Sequence, residues 1–202
     1  MDQPDNRAFF GLGGQGKTTL ALHQARAFPR VLIHDVNGEA KMAASAIVTS
    51  DPRELVELFA NPGPVRVCWR GAVMQADSGR LDAFEWANRV ALACCNVVVI
   101  WDELDRFNIG GRLPPNADII VNSGRHRELR AWFTSRRPAA VPVAARALAG
   151  RKVIFRTDEP RDVDYYAEVI GRELAERVPD LAVHQCFDAR PGVVDLRKPP
   201  FD

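Results

Sequence analysis

Long apolar runs are missing from this sequence, and nothing in it approaches the roughly 20 consecutive apolar residues that cross a bilayer. The run 97–101, "VVVIW", is five residues long and reads as a buried strand. A basic-then-apolar leader does not fit the start either, because Asp2 and Asp5 come early and a glycine-rich segment follows at once. These absences exclude a membrane segment and point to a cytoplasm. Cysteine is sparse as well. The four residues Cys68, Cys94, Cys95 and Cys186 form no C-x-x-C pair, so neither a zinc site nor a disulfide framework is indicated. Cys94 and Cys95 close a predicted helix and read as core packing.

What is present is the composition of one soluble globular domain. The 202 residues are 47% hydrophobic and 26% charged, enough to bury a real core. The net charge of +1 conceals an asymmetry. Between Arg106 and Arg156 eleven Arg or Lys face two acids, Asp118 and Glu128, so this block carries +9 and the remainder −8. A basic block on a balanced chain suggests a polyanion, or nucleotide phosphates, meeting one face. Solvated side chains from an arginine-rich composition are the plain alternative.

Hydrophobic periodicity places strands at 8–12, 31–36, 65–69, 97–101, 129–134 and 153–156. Helices are predicted at 17–28, 52–60 with Asp51 as N-cap, 80–94, 116–122, 141–148 and 161–176. Two weak strands, 184–187 and 193–196, could pair as a C-terminal β-hairpin, making 182–202 a hairpin and tail extension. Strands alternating with helices imply an α/β domain, residues 1–202, with a mainly parallel sheet and helices on both faces. The unbroken apolar run at 97–101 fits a central strand.

Residues 11–18, "GLGGQGKT", match G-x-x-x-x-G-K-[ST] between a strand and a helix, the context that gives this motif its meaning. Gly11, Gly13, Gly14, Gln15, Gly16, Lys17, Thr18 and Thr19 form the candidate nucleotide-binding set. Glycines let backbone N–H groups close around phosphates at a helix N-terminus. Lys17 is expected on the β- and γ-phosphates and the Thr18 hydroxyl on Mg²⁺. The second half of such a site is an acid ending a buried strand, and "VVVIWDELD" supplies Asp102 for the metal's water shell and Glu103 beside it. Glu103 can orient and deprotonate a water for attack on the γ-phosphate, which favours ATP hydrolysis over transfer to a substrate hydroxyl. No [NT]-K-x-D guanine-reading motif is present, and no LSGGQ-like signature.

Further along stand "GRHR" at 124–127, "TSRRP" at 134–138, and "FR" at 155–156 with "EPRD" at 159–162. With the two nucleotide motifs, their order and spacing over residues 9–166 resemble the FtsK–HerA superfamily of DNA-pumping ATPases, particularly its small viral genome-packaging members. The resemblance implies a RecA-like P-loop fold, with ATP and Mg²⁺ as cofactors and translocation of double-stranded DNA into a capsid. It also implies a homo-oligomeric ring, a hexamer by family likeness, with a capsid vertex as a further partner. Such a protein would work in a host cytoplasm or with a virion. Arg125 or Arg127 corresponds to the arginine finger such enzymes insert into a neighbour's site. Arg136 stands where the family often has a glutamine.

A second resemblance runs to signalling switch ATPases of the NB-ARC type, through the glycine loop and "FTSRRP". Their winged-helix module and G-L-P-L-A element are not in this sequence. A metabolite kinase is disfavoured by Glu103, and a ParA-like partition ATPase by Leu12, where it would carry a lysine. Other DNA-transfer ATPases remain open.

Overall fold

The computed structural model of the chain describes residues 5–73 and 77–198; Asp2 and the end of the tail, 199–202, lie outside them. The elements run β1 (Arg7–Phe10), α1 (Lys17–Ala25), β2 (Arg30–His34), α2 (Ala40–Ala43), β3 (Ile47–Thr49), α3 (Pro52–Ala60) and β4 (Val65–Trp69). They continue with α4 (Asp77–Leu92), β5 (Val98–Trp101), α5 (Pro115–Ser123), β6 (Arg130–Ser135), α6 (Val143–Leu148) and β7 (Arg151–Phe155). The chain then forms α7 (Pro160–Ile170), α8 (Arg172–Ala175), β8 (Cys186–Arg190) and β9 (Val193–Arg197). All nine strands join one sheet in the order β3-β4-β2-β5-β6-β1-β7-β8-β9. β3 through β7 are parallel, while β8 and β9 add an antiparallel hairpin at one edge.

Alternation along the strands splits the core into two layers. Phe9, Val31, Ile33, Val98 and Ile100 face α1 and α2, where Leu20, Ala21, Ala25 and Met42 cover them. Their neighbours Phe10, Leu32, Val99 and Trp101 face α3 to α8 on the other side. Both faces being covered is why β5 reads as a continuous apolar run. Its four residues are fully buried, and each such side chain contributes about 1.5–3 kcal/mol. Local signals start the helices. Asp51 caps α3, accepting from the Arg53 N–H at 2.8 Å, with Pro52 in the first turn.

The structure departs from the sequence reading in several places. The helix expected over 161–176 is broken into α7 and α8 at Gly171, whose φ of 85° and ψ of 152° no helix accommodates. The hairpin forms, but β8 starts at Cys186. α2 and β3 have no counterpart in the hydrophobic periodicity. Of the paired cysteines, Cys94 packs against the core while Cys95 is exposed, so the core reading holds for Cys94 alone. No helix among the described residues is long and apolar enough to cross a membrane.

Candidate active site

Gly11 follows β1 directly and has φ of 137°, and a Cβ there would stand 2.7 Å from the Phe155 Cβ. Only glycine fits, because β7 runs hard against the loop and Leu12 N–H donates to Arg156 O at 2.9 Å. Gly16, at φ 96° and ψ 9°, turns the loop into α1. Lys17 and Thr18 thus open the helix, where unpaired N–H groups and the helix dipole favour an anion. Gly13, Gly14 and Gln15 form the arch between, and Thr19 follows within α1. The Lys17 ammonium is buried and donates to Gly11 O at 2.7 Å and Leu12 O at 2.8 Å. Burial lowers its pKa to about 8, Asp102 opposes that shift, and the positive charge of Arg136 adds to it.

The acidic half converges on the same point. β6 lies between β1 and β5, so Thr134 near its end reaches both motifs. Asp102 Oδ1 accepts from the hydroxyls of Thr18 at 2.8 Å and Thr134 at 2.9 Å. Asp102 is 2% exposed, and burial raises its pKa to about 6 despite those two donors. Glu103 adopts the left-handed region at φ 51° and ψ 56°, uncommon for a residue with a side chain and typical of strained functional turns. Its amide donates to the Thr134 hydroxyl at 2.9 Å. Its carboxylate pairs with Arg106 Nε at 2.6 Å and Arg136 Nη2 at 3.5 Å. The Thr18 hydroxyl and Asp102 carboxylate are the hard oxygen donors that Mg²⁺ takes, and it binds through few protein ligands with phosphates and water completing the shell. Among the described residues no cluster of three or more His, Cys, Asp or Glu could cage a metal.

Three supports went unread in the sequence. Thr134 is one. Another is Asp35, fully buried after β2, whose Oδ1 accepts from the amides of Asn37, Gly38 and Glu39 and whose Oδ2 pairs with Arg70 Nε at 2.8 Å. The third is His184, with Nδ1 3.2 Å from Gln15 O on the glycine loop. Thr134, His184 and the Asp35–Arg70 pair each join residues far apart in the chain.

The remaining candidates are not brought to this point. Arg125 and Arg127 are exposed in a 3₁₀ turn that precedes β6, whereas the glycine loop lies beyond the strand's other end. Six residues of strand separate the two ends, about 20 Å. Arg127 also donates to Leu92 O at 2.8 Å. The basic block therefore does not form one face. Arg106, Arg112 and Arg136 are exposed at the glycine-loop end, Arg125 and Arg127 at the opposite end. Others serve the fold, as Arg151 does in its ion pair with Asp188 at 2.6 Å.

No protein-family model and no curated protein matches the sequence. Among solved structures, the genome packaging NTPase B204 from Sulfolobus turreted icosahedral virus 2 in complex with AMP superposes with a TM-score of 0.76. Identity is 18%, over 99% of this chain and 100% of that one. The same NTPase in complex with ATP-gammaS gives 0.73 at 18% identity, with 99% and 100% covered. VirB4 of Thermoanaerobacter pseudethanolicus gives 0.65 at 11% identity over 96% and 88%. The chain has the RecA-like P-loop fold that these structures share, with the β8–β9 hairpin at one edge of its sheet.

Proposed function

We propose that this chain hydrolyses ATP to move double-stranded DNA, packaging a viral genome into a capsid. The observation that carries the proposal is the hydrogen-bonded set Thr18–Asp102–Thr134–Glu103, which stands beside Lys17 of the glycine loop. It joins a phosphate grip to a carboxylate base on a fold shared with a genome packaging NTPase.

The loop amides and Lys17 hold the β- and γ-phosphates, and the Thr18 hydroxyl with the Asp102 carboxylate is the set that would hold Mg²⁺. When bound, that ion supplies positive charge to the phosphate oxygens. Glu103 orients a water. As the water oxygen bonds to the γ-phosphorus, its proton passes to Glu103, the bond to the β–γ bridging oxygen breaks, and ADP leaves with that electron pair. Arg125 and Arg127 face away from their own chain's site, so they serve catalysis only from a neighbour. A homo-oligomeric ring, a hexamer, would bring one of them to the next subunit's phosphates.

Nucleotide binding and turnover in two variants test the assignment. Lys17→Ala should lose ATP binding and turnover together, whereas Glu103→Gln should bind ATP and fail to hydrolyse it. Wild-type turnover by Glu103→Gln would remove Glu103 from the base role.

A further inference from the structure

A transferred phosphoryl group needs a cation beside it as charge develops, and neither Arg125 nor Arg127 can supply one within its own chain. Another arginine is in position. Ser135 ends β6 opposite Phe10, the residue before Gly11. Thr134, one residue earlier, holds both Asp102 and the Glu103 amide. The chain leaving β6 therefore emerges between the two halves of the phosphate site, and the first residue out is Arg136. Its side chain is 66% exposed, yet Nη2 lies 3.5 Å from Glu103 Oε1. Arg137 turns the other way, to Glu159 at 3.2 Å and Asp162 at 3.6 Å at the start of α7. Of the pair, Arg136 is the one placed beside Glu103.

β6 leads out between the glycine loop after β1 and the acidic pair after β5. An arginine that leaves that strand end and pairs with the Glu103 carboxylate borders the space between the two halves, where a γ-phosphate would lie.

We propose that Arg136 is a catalytic residue of its own chain, its guanidinium contacting the γ-phosphate of ATP and neutralising the charge that builds as the bond to the bridging oxygen breaks. This rests on the ATPase reading above. A guanidinium presents a planar fork of donors, so one face of it can hold a carboxylate oxygen while another holds a phosphate oxygen. Arg136 exchanges no proton; the water's proton goes to Glu103 as before. Arg106, at 2.6 Å, keeps Glu103 paired while Arg136 engages phosphate. A neighbour's Arg125 or Arg127 would add to this charge from the other side.

The test compares Arg136→Ala and Arg136→Lys with wild type for ADP affinity, formation of the ADP–aluminium fluoride complex and single-turnover hydrolysis. Circular dichroism checks the fold. Arg136→Ala should keep ADP affinity within about twofold, fail to form the tight aluminium fluoride complex, and lose on the order of 10³-fold in rate. Arg136→Lys should remain impaired, because a point charge does not replace the fork. Mixing Arg136→Ala with Glu103→Gln subunits should leave activity absent at every ratio, since no chain then carries both groups. A rate within about tenfold of wild type, a normal aluminium fluoride complex, or recovery on mixing would overturn the proposal. A wild-type chain that hydrolyses no ATP would overturn the ATPase reading and this proposal with it, so the two failures are distinguishable.

Discussion

Thr134 and Asp102 are joined by a 2.9 Å hydrogen bond, the threonine hydroxyl donating to the buried carboxylate. The same hydroxyl accepts from the amide of Glu103, so one oxygen fixes both acids. Thr134→Val keeps the shape and removes both bonds. It should cost about 1–3 kcal/mol in urea unfolding, because the Glu103 amide and the Asp102 oxygen lose a partner. It should also lower the hydrolysis rate while leaving nucleotide affinity near wild type. Thr134→Ser should restore both properties. A valine variant with wild-type hydrolysis would show that Glu103 is held by its arginine pairs alone.

A second relationship sits behind Asp102. The Asp102 N–H donates to His34 O at 3.3 Å, and the His34 ring packs 4.8 Å from Phe84 at 1% exposure. Burial pushes the His34 pKa down to about 3, with Asn88 offsetting part of the shift. A folded pKa below the unfolded value of about 6.5 means that the unfolded chain takes the proton first. Stability from this group is therefore complete above pH 6.5 and is lost as pH falls toward 3. Asp102 acts oppositely: its folded pKa near 6 lies above the usual carboxylate range, so acid relieves a cost. The two trends mask each other in the total. The stability difference between wild type and His34→Gln isolates the histidine, and it should fall by about 2 kcal/mol from pH 6.5 to 4.5. A constant difference would mean that the imidazole protonates within the fold.

The parts of this architecture that are visible in sequence are those written in short local patterns. The glycine loop, the acidic pair after an apolar strand, and the Asp51 cap each occupy consecutive residues, and each stands where expected. The open sheet follows from strand and helix periodicity. What escaped is set by contacts across the chain. Thr134 reads as one position in a turn until β6 is placed between β1 and β5. Asp35 and Arg70 become a pair only when β2 and β4 lie side by side. α2 and β3 are four and three residues long, too short for a period to show. Gly171 lies inside a helical pattern that its backbone interrupts. The arginine block illustrates the converse: members of one basic stretch of sequence, Arg125 and Arg136 stand at opposite ends of one strand.

Binding to duplex DNA should be independent of sequence and carried by the phosphates. Arg112 is exposed at the glycine-loop end and stands outside the ion pairs around Glu103. For every phosphate that an arginine neutralises, affinity should fall about 3.5-fold as salt rises from about 50 to about 200 mM. Fluorescence anisotropy with Arg112→Ala should give a salt slope smaller by about one. Tight binding that persists at the higher salt, or a clear sequence preference, would contradict a protein that tracks the backbone.

The central claim is that ATP hydrolysis serves movement along DNA, and the ATPase rate with and without double-stranded DNA tests it most directly. The rate should rise when duplex is added, whatever its sequence, and Glu103→Gln should abolish both the basal and the stimulated rate. An ATPase whose turnover is identical with and without duplex, under salt at which duplex is bound, would contradict the account.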